Sequence, residues 1–351
     1  MKEFDYENLN NLIITPEMAK KIGQIGELRG QLKNIQQQNP TMLDRLIEVA
    51  KIQSTDSSNR IEGIYTSNTR LRQLVEKKTM PHNRSEEEIS GYRDVLDLIH
   101  QQYAYIPISD STILTMHKRL FEFTASTWGG HFKDIDNQII TTFADGTSEV
   151  RFNPAPAFIT PTLIDNLCNN YQKAVDKEEI PLLLLSGAFV FDFVSIHPFR
   201  DGNGRMSRLL MLLTLYQIGY GIGCYISIES LIEKTKTNYY DTLKDSSVGW
   251  NENTNSYTPF LNYFLSVILQ AYRELAQRVK PDETCKVPVK ALILDALRSE
   301  LKPLAKRELV GLIPNYSQIT IERELNALIK EQEVEKVGGG RSTKYILNNK
   351  K

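Results

Sequence analysis

Apolar positions recur at helical spacing through most of this chain, and in two stretches they crowd until no polar face is left. These stretches are residues 180–196 and 209–228. The first carries Asp192 and is shorter than the roughly 20 residues that cross a bilayer. The second contains Gln217 and three glycines and follows directly on two arginines. The pattern therefore predicts two central helices of a soluble bundle, buried nearly all round, and not membrane spans.

Amphipathic helices are expected around this pair. Thr15-Pro16 opens one over residues 16–36, as cap then proline, and Pro40 ends it. A second covers 41–61, with Leu43, Leu46, Ile47, Ala50 and Ile52 as its apolar contacts and Gly63 as its closing residue. Further helices are expected over 85–102 and 111–123, from Thr160-Pro161, and from Thr258-Pro259. The period changes between residues 127 and 161. Two β-prone runs, 138–143 and 148–152, are joined by Ala144-Asp145-Gly146-Thr147, which predicts a hairpin.

Lys280-Pro281-Asp282 marks a boundary. Beyond it come three short amphipathic stretches, 289–298, 305–313 and 317–331, and then a hairpin pattern with Gly338-Gly339-Gly340 at its tip. That order resembles a winged helix-turn-helix. The expected division is an N-terminal helical region (1–80), a helical core (81–279) and this C-terminal unit (285–349). The fold class is mainly α: a helical bundle with one β-hairpin, plus the small terminal domain.

Composition narrows the setting without naming a partner. Lys and Arg number 42 against 43 Asp and Glu, so whole-chain charge gives no argument for nucleic acid or an acidic membrane. The three cysteines, Cys168, Cys224 and Cys285, are far apart and odd in number, which suits a reducing compartment. No close Cys/His set has zinc spacing. The N-terminus has no signal-peptide apolar core, so a cytoplasmic location is expected. Of five histidines only His197 stands in a chemical context; the other four read as ordinary surface or helix residues.

That context is Ile-His-Pro-Phe-Arg-Asp-Gly-Asn-Gly-Arg-Met-Ser-Arg, residues 196–208. A histidine can take a proton from a hydroxyl near neutral pH. A glycine-rich turn opening a helix, here Gly202-Asn203-Gly204, offers backbone N–H groups to phosphate, and Asn203 adds a side-chain donor. Arg205 and Arg208 lie three apart and share a helix face. Asp201 beside such a cradle is a natural Mg²⁺ ligand. Together the residues describe phosphoryl or nucleotidyl transfer to a hydroxyl. Phe199 reads as a core anchor of the loop, and Pro198 as a brace for its backbone.

The same segment resembles the Fic motif, His-x-Phe-x-(Asp/Glu)-Gly-Asn-Gly-Arg-x-x-Arg, at every fixed position. The resemblance implies a protein adenylyltransferase that moves AMP from ATP, with Mg²⁺, onto a Tyr, Thr or Ser hydroxyl of a target protein or of itself. It implies that His197 is the base, that Asp201 holds the metal, and that Arg205 and Arg208 hold the β- and γ-phosphates. In the related Doc kinases a lysine stands where this chain has Gly204, so Gly204 points to AMP transfer rather than phosphorylation. A Tyr-Tyr pair lies near adenine in the family, which assigns Tyr239 and Tyr240 to the base pocket. The hairpin matches the family's flap, whose residues here are Ile139, Ile140, Val150 and Phe152; a target segment adds to its free edge as a strand.

Residues 58–63, Ser-Asn-Arg-Ile-Glu-Gly, resemble the family's inhibitory motif, (Ser/Thr)-x-x-x-Glu-(Gly/Asn), and precede the Fic motif as in its N-terminally inhibited class. The implied brake uses Ser58, Glu62 and Gly63, with Glu62 pairing with Arg208 and displacing the γ-phosphate. Two other functions fit the sequence. One is a bifunctional or mainly de-AMPylating enzyme in which Glu62 positions water. The other is a DNA-binding regulator that senses nucleotide. The third helix of the terminal unit mixes Arg323 and Lys330 with Glu322, Glu324 and Glu331, so protein contact or domain packing is favoured there over DNA. The pattern also leaves room for a homodimer.

Overall fold

The computed structural model describes residues 2–7, 9, 12–38, 40–142, 148–279, 289–299, 303–313, 316–340 and 343–348. The turn at 144–147, the boundary tripeptide at 280–282 and Cys285 lie outside the described residues. The chain divides into two compact units, Met1–Val279 and Lys280–Lys351.

The first unit is built from α1 (Pro16–Gln38), α2 (Pro40–Ile61), α3 (Asn68–Val75), α4 (Arg84–Gln102) and α5 (Asp110–Leu120), then β1 (Ile139–Thr142) and β2 (Ser148–Phe152). It continues through α6 (Thr160–Lys177), α7 (Leu182–Ile196), α8 (Asn203–Gln217), α9 (Ile228–Lys234), α10 (Lys236–Ser247) and α11 (Thr258–Arg278). The first apolar stretch becomes α7 and the first half of the second becomes most of α8, which pack on each other at the centre of one large core. The expected helix over 209–228 stops at Gln217, where Gly219 turns left-handed (φ 81°) and a short 3-10 turn, Gly221–Cys224, follows. Pro40 does not simply break a helix: it is the first residue of α2, where a missing N–H costs nothing. Residues 54–58 stay helical although Ser, Thr and Asp favour turns, because Ser54, Thr55, Ser57 and Ser58 are all buried. The short helix α3 follows an N-cap at Ser67, whose side chain accepts the Arg70 N–H. Sequence periodicity passed over it because eight residues carry little periodic signal.

β1 and β2 pair antiparallel, Ile140 opposite Val150 and Ile139 opposite Phe152, with a bulge between Ile139 and Ile140. The second unit holds α12 (Val289–Ser299), β3 (Leu304–Ala305), α13 (Lys306–Leu312), α14 (Gln318–Lys330), β4 (Val334–Val337) and β5 (Lys344–Leu347). Its strands form an antiparallel sheet in the order β3-β5-β4 over a separate core that includes Ile293, Leu309, Ile321, Leu325 and Leu328. The two-residue strand β3 was not expected from the sequence.

α7 carries one charge through the core. Asp192 is fully buried. Its carboxylate accepts from Tyr6 Oη at 2.7 Å, Trp250 Nε1 at 2.7 Å and Tyr257 Oη at 2.9 Å. Burial pushes this carboxyl above its usual range, against the pull of Lys2 and the three donors. The network ties residues 2–6 and the residues leading into α11 onto the helix that ends at His197. Replacing Asp192 by Ala would strand three buried donors. We expect Asp192→Ala to lose about 3–5 kcal/mol in urea or thermal unfolding; a loss below 1 kcal/mol would show that the network is not a support of the core.

Candidate active site

α7 ends where His197 takes the left-handed conformation (φ 51°, ψ 60°), and Pro198 then forbids another helical turn. The chain reverses through Phe199 and Asp201 and re-enters α8 at Gly202, also left-handed (φ 81°). Gly202 caps α8 without a side-chain hydrogen bond, so the opening turn of the helix is left to other partners.

The loop is held from inside. Phe199 is fully buried, and the His117 ring stacks on it with centroids 3.6 Å apart and planes 3° from parallel. His117 Nε2 lies 3.0 Å from the Asp201 carbonyl, and its Nδ1 accepts the Gly130 N–H at 3.0 Å. A carbonyl only accepts, so these partners fix the neutral Nε2–H tautomer. This histidine, read from sequence as ordinary, is a support of the motif. Its partner Asp201 lies 84 positions away, so no local pattern announces it.

The structure uses the Asn203 carboxamide differently from the expected phosphate donor. Oδ1 accepts the Phe199 N–H at 2.8 Å and Nδ2 donates to the Phe199 carbonyl at 2.7 Å. An amide side chain matches a peptide group on both sides, so Asn203 closes the loop on itself. Arg205 is also turned inward. It is 1% exposed, with Nη1 2.7 Å from Glu88 Oε2 and Nη2 3.6 Å from Asp201 Oδ1. Asp201 stays open, its side chain 42% exposed, with Oδ1 accepting the Gly202 N–H at 2.6 Å.

Among the predicted site residues, Glu62, His197, Gly204, Arg208, Tyr239 and Tyr240 share one cavity of about 510 Å³. Ile139, Ile140 and Phe152 of the hairpin line it as well. Val150 stands outside its lining and is exposed. Arg208 is 1% exposed and is held from the end of α2 and the residue after it: Nε donates to Ser58 Oγ, and Nη2 donates to the Ser58 carbonyl and to Glu62 Oε1, each at 2.8 Å. Burial opposes ionisation of Glu62, but the Arg208 guanidinium outweighs it and holds the carboxyl below its usual range. Gly63 is left-handed (φ 79°) and turns the chain away directly after Glu62. Gly204 has no room for a side chain, because a Cβ there would collide with Glu62 Oε1.

Sequence reading missed three cations in the cavity wall, Arg151, Lys236 and Lys244. Lys236 Nζ donates to the Ile61 carbonyl at 2.7 Å, capping the end of α2. The Arg151 guanidinium sits 5.2 Å from the Tyr240 ring centroid. Tyr239 is buried and packs against Tyr240 at 5.3 Å. Trp250 serves Asp192 and packs edge-on to Phe152.

Among the described residues no group of three or more His, Cys, Asp or Glu side chains is arranged to hold a metal ion. A single open carboxylate beside a helix N-terminus still fits Mg²⁺ of the kind that takes most of its ligands from water and substrate phosphates. Among the described residues no helix is long and apolar enough to cross a membrane.

A model of the Fic/DOC family matches residues 107–215, which run from just before α5 through most of α8. The chain is 34% identical over 100 residues to a Fido domain-containing protein of Dictyostelium discoideum, a match covering 26% of this chain and 68% of that protein. It is 27% identical over 206 residues to the protein adenylyltransferase Fic of Nematostella vectensis, covering 57% of this chain and 45% of that one. The chain thus spans less than half the length of that adenylyltransferase. In fold it is similar to a crystal structure of a Fic family protein from Desulfovibrio desulfuricans, with a TM-score of 0.64 at 22% identity, covering 97% of this chain and 98% of that one.

The ring chemistry is open to direct measurement. Burial pushes His100, His117 and His197 down to about 4, with the Lys133 ammonium adding to the effect at His197. Histidine ring NMR should find all three neutral at pH 7, His117 as the Nε2–H tautomer, and each gaining a proton only as pH falls toward 4. A midpoint near the ordinary 6.5 for His197 would show that its place on the cavity wall does not desolvate the imidazole.

Proposed function

Because this chain belongs to the Fic/DOC family, we propose that it is a protein adenylyltransferase, transferring AMP from ATP to a hydroxyl side chain and held in check by its own α2. The observation that carries this reading is the Arg208–Glu62 ion pair at 2.8 Å in a cavity shared with His197 and Gly204. His197, neutral at pH 7, accepts the proton of the attacking hydroxyl. Attack at the α-phosphorus breaks its bond to the bridging oxygen of the β-phosphate and releases pyrophosphate. It places added charge on phosphate oxygens, and the N–H groups opening α8, together with the Arg208 guanidinium, stabilise it. Asp201 would hold Mg²⁺, which supplies charge neutralisation on the phosphates. Arg205, tied to Glu88 and facing Asp201, orients that carboxylate. Tyr239 and Tyr240 form the wall for the base, and the β1–β2 hairpin receives the target as an added strand.

Glu62 blocks this arrangement by occupying the cation that the γ-phosphate needs. Its side chain remains 31% exposed on the cavity. That placement also favours a second reading, in which Glu62 orients water to remove AMP from a modified target.

We read the C-terminal unit as a winged helix from its order α12, β3, α13, α14, β4, β5. On α14 Ile319 is 80% exposed and Glu322 pairs with Lys306 at 2.8 Å. An exposed aliphatic residue beside mixed charge suits protein contact better than a phosphate backbone.

Labelled ATP with Mg²⁺ tests the main reading. Glu62→Gly should raise self-modification by α-labelled ATP about 100-fold, the equivalent of about 2.7 kcal/mol. Adding Arg208→Ala should erase the gain, and His197→Ala should abolish transfer while ATP still binds. Label appearing from the γ position instead would make the chain a kinase; no gain in Glu62→Gly would dismiss the brake. AMP released from a modified chain by wild type but not by Glu62→Gly would favour the removal reading. A gel shift should find no salt-dependent binding of duplex DNA by the full chain at micromolar concentration.

A further inference from the structure

Lys133 is 5% exposed, a degree of burial lysine rarely reaches. Its Nζ donates to Asn137 Oδ1 at 2.8 Å and to the Ile196 carbonyl at 3.2 Å. Its own backbone N–H donates to the Pro198 carbonyl at 2.9 Å. Asn137 Nδ2 in turn donates to the Phe199 carbonyl at 3.2 Å and reaches the His197 carbonyl at 3.5 Å. Residues 133–137 therefore hold the carbonyls of four successive residues, 196 to 199. This is where α7 unwinds, and a helix end leaves carbonyls without partners along its axis. The negative end of the α7 dipole is also a favourable place for a cation. Burial lowers Lys133 to about 8, with Asp136 opposing, so it remains largely charged at neutral pH.

The same segment has a second neighbour in sequence. β1 starts at Ile139, two residues after Asn137, so the clamp is also the root of the hairpin. The backbone carrying His197 and the strand proposed to receive the target are joined through one set of hydrogen bonds.

We propose that Lys133 and Asn137 are positioning residues, a clamp that fixes the His197 backbone to the root of the hairpin and so sets the register of a docked hydroxyl against the imidazole. The inference rests on the reading of His197 as base and of the hairpin as target site. Neither residue lines the cavity with Arg208 and Gly204, so loss of the clamp is expected to fall on turnover more than on nucleotide affinity. Misplacement of the reacting groups by about 1 Å is enough to cost up to roughly 100-fold in turnover.

The test uses the full chain carrying Glu62→Gly, with ATP, Mg²⁺ and self-modification as readout. Lys133→Met and Asn137→Asp should each lower kcat by roughly 10–100-fold, with KM for ATP and ATP affinity within about twofold of the parent. Asn137→Asp keeps an acceptor for Lys133 and loses the donor to the loop, so it carries the test should Lys133→Met fail to fold. The double variant should be no worse than Lys133→Met, because the two side chains act as one unit. Wild-type kcat in a folded Asn137→Asp chain, or kcat and ATP affinity falling together, would overturn the clamp. His197→Ala in the same background separates the two claims. If it still turns over, the base assignment has failed; if it is dead while Asn137→Asp is fully active, only the clamp has failed.

Discussion

A guanidinium that has left water must find acceptors, and Arg208 finds them at the C-terminal end of α2, on Ser58 inside the helix and on Glu62 directly after it. The constraint reaches well beyond one ion pair. It requires α2 to end with the Ser58 carbonyl and Glu62 turned to Arg208, and the negative end of that helix dipole favours the cation it meets. It requires residue 204 to lack a side chain, since Glu62 occupies the space a Cβ would take. It also gives purpose to the run of buried small polar residues from Ser54 to Ser58. These read from sequence as turn formers, yet they let the helix approach α8 and α9 closely.

The loop opposite Arg208 answers a different demand. His197 sits in a conformation that a non-glycine residue adopts at a cost of about 1–3 kcal/mol. Such a position persists only when its surroundings over-determine it. Here Pro198 blocks further helix, the stacked His117–Phe199 pair fills the space beneath, Asn203 pairs with the Phe199 peptide group, and residues 133–137 hold the carbonyls. Pro198, Phe199 and Asn203 belong to the loop itself, while His117 of α5 and residues 133–137 hold it from outside.

This division explains what could be read in the sequence. The central helices were legible because their apolar density is local, and the 197–208 segment because its chemistry is contiguous. Glu62 and Ser58 were legible through resemblance, and the structure places both on Arg208. His117, Lys133, Glu88 and Lys236 were not. His117, Lys133 and Lys236 act on carbonyls and Glu88 on the Arg205 guanidinium, all far away in sequence, and a lone polar residue in an amphipathic stretch looks the same whether it meets solvent or a loop. Asn203 and Arg205 show the converse. Their residue types suit phosphate, but burial assigns them to the protein's own peptide group and carboxylate, and periodicity does not report which way a polar residue inside a buried helix turns.

The contacts on Arg208 also separate into two kinds. Those from Ser58 are to a hydroxyl and a carbonyl, neutral acceptors that do not compete with a phosphate for charge. The contact from Glu62 is to an anion, and it is the one a phosphate oxygen would replace. A charge-assisted hydrogen bond contributes about 1.5–3 kcal/mol, which converts to roughly 10–150-fold in occupancy. Under the proposed function, removing Glu62 therefore frees the guanidinium without unseating it. Ser58 keeps Arg208 aimed into the cavity, and the γ-phosphate meets a cation already ordered. On that proposal inhibition and substrate binding would share one charge but not one scaffold, and a single carboxylate would act as a brake on a site it does not build.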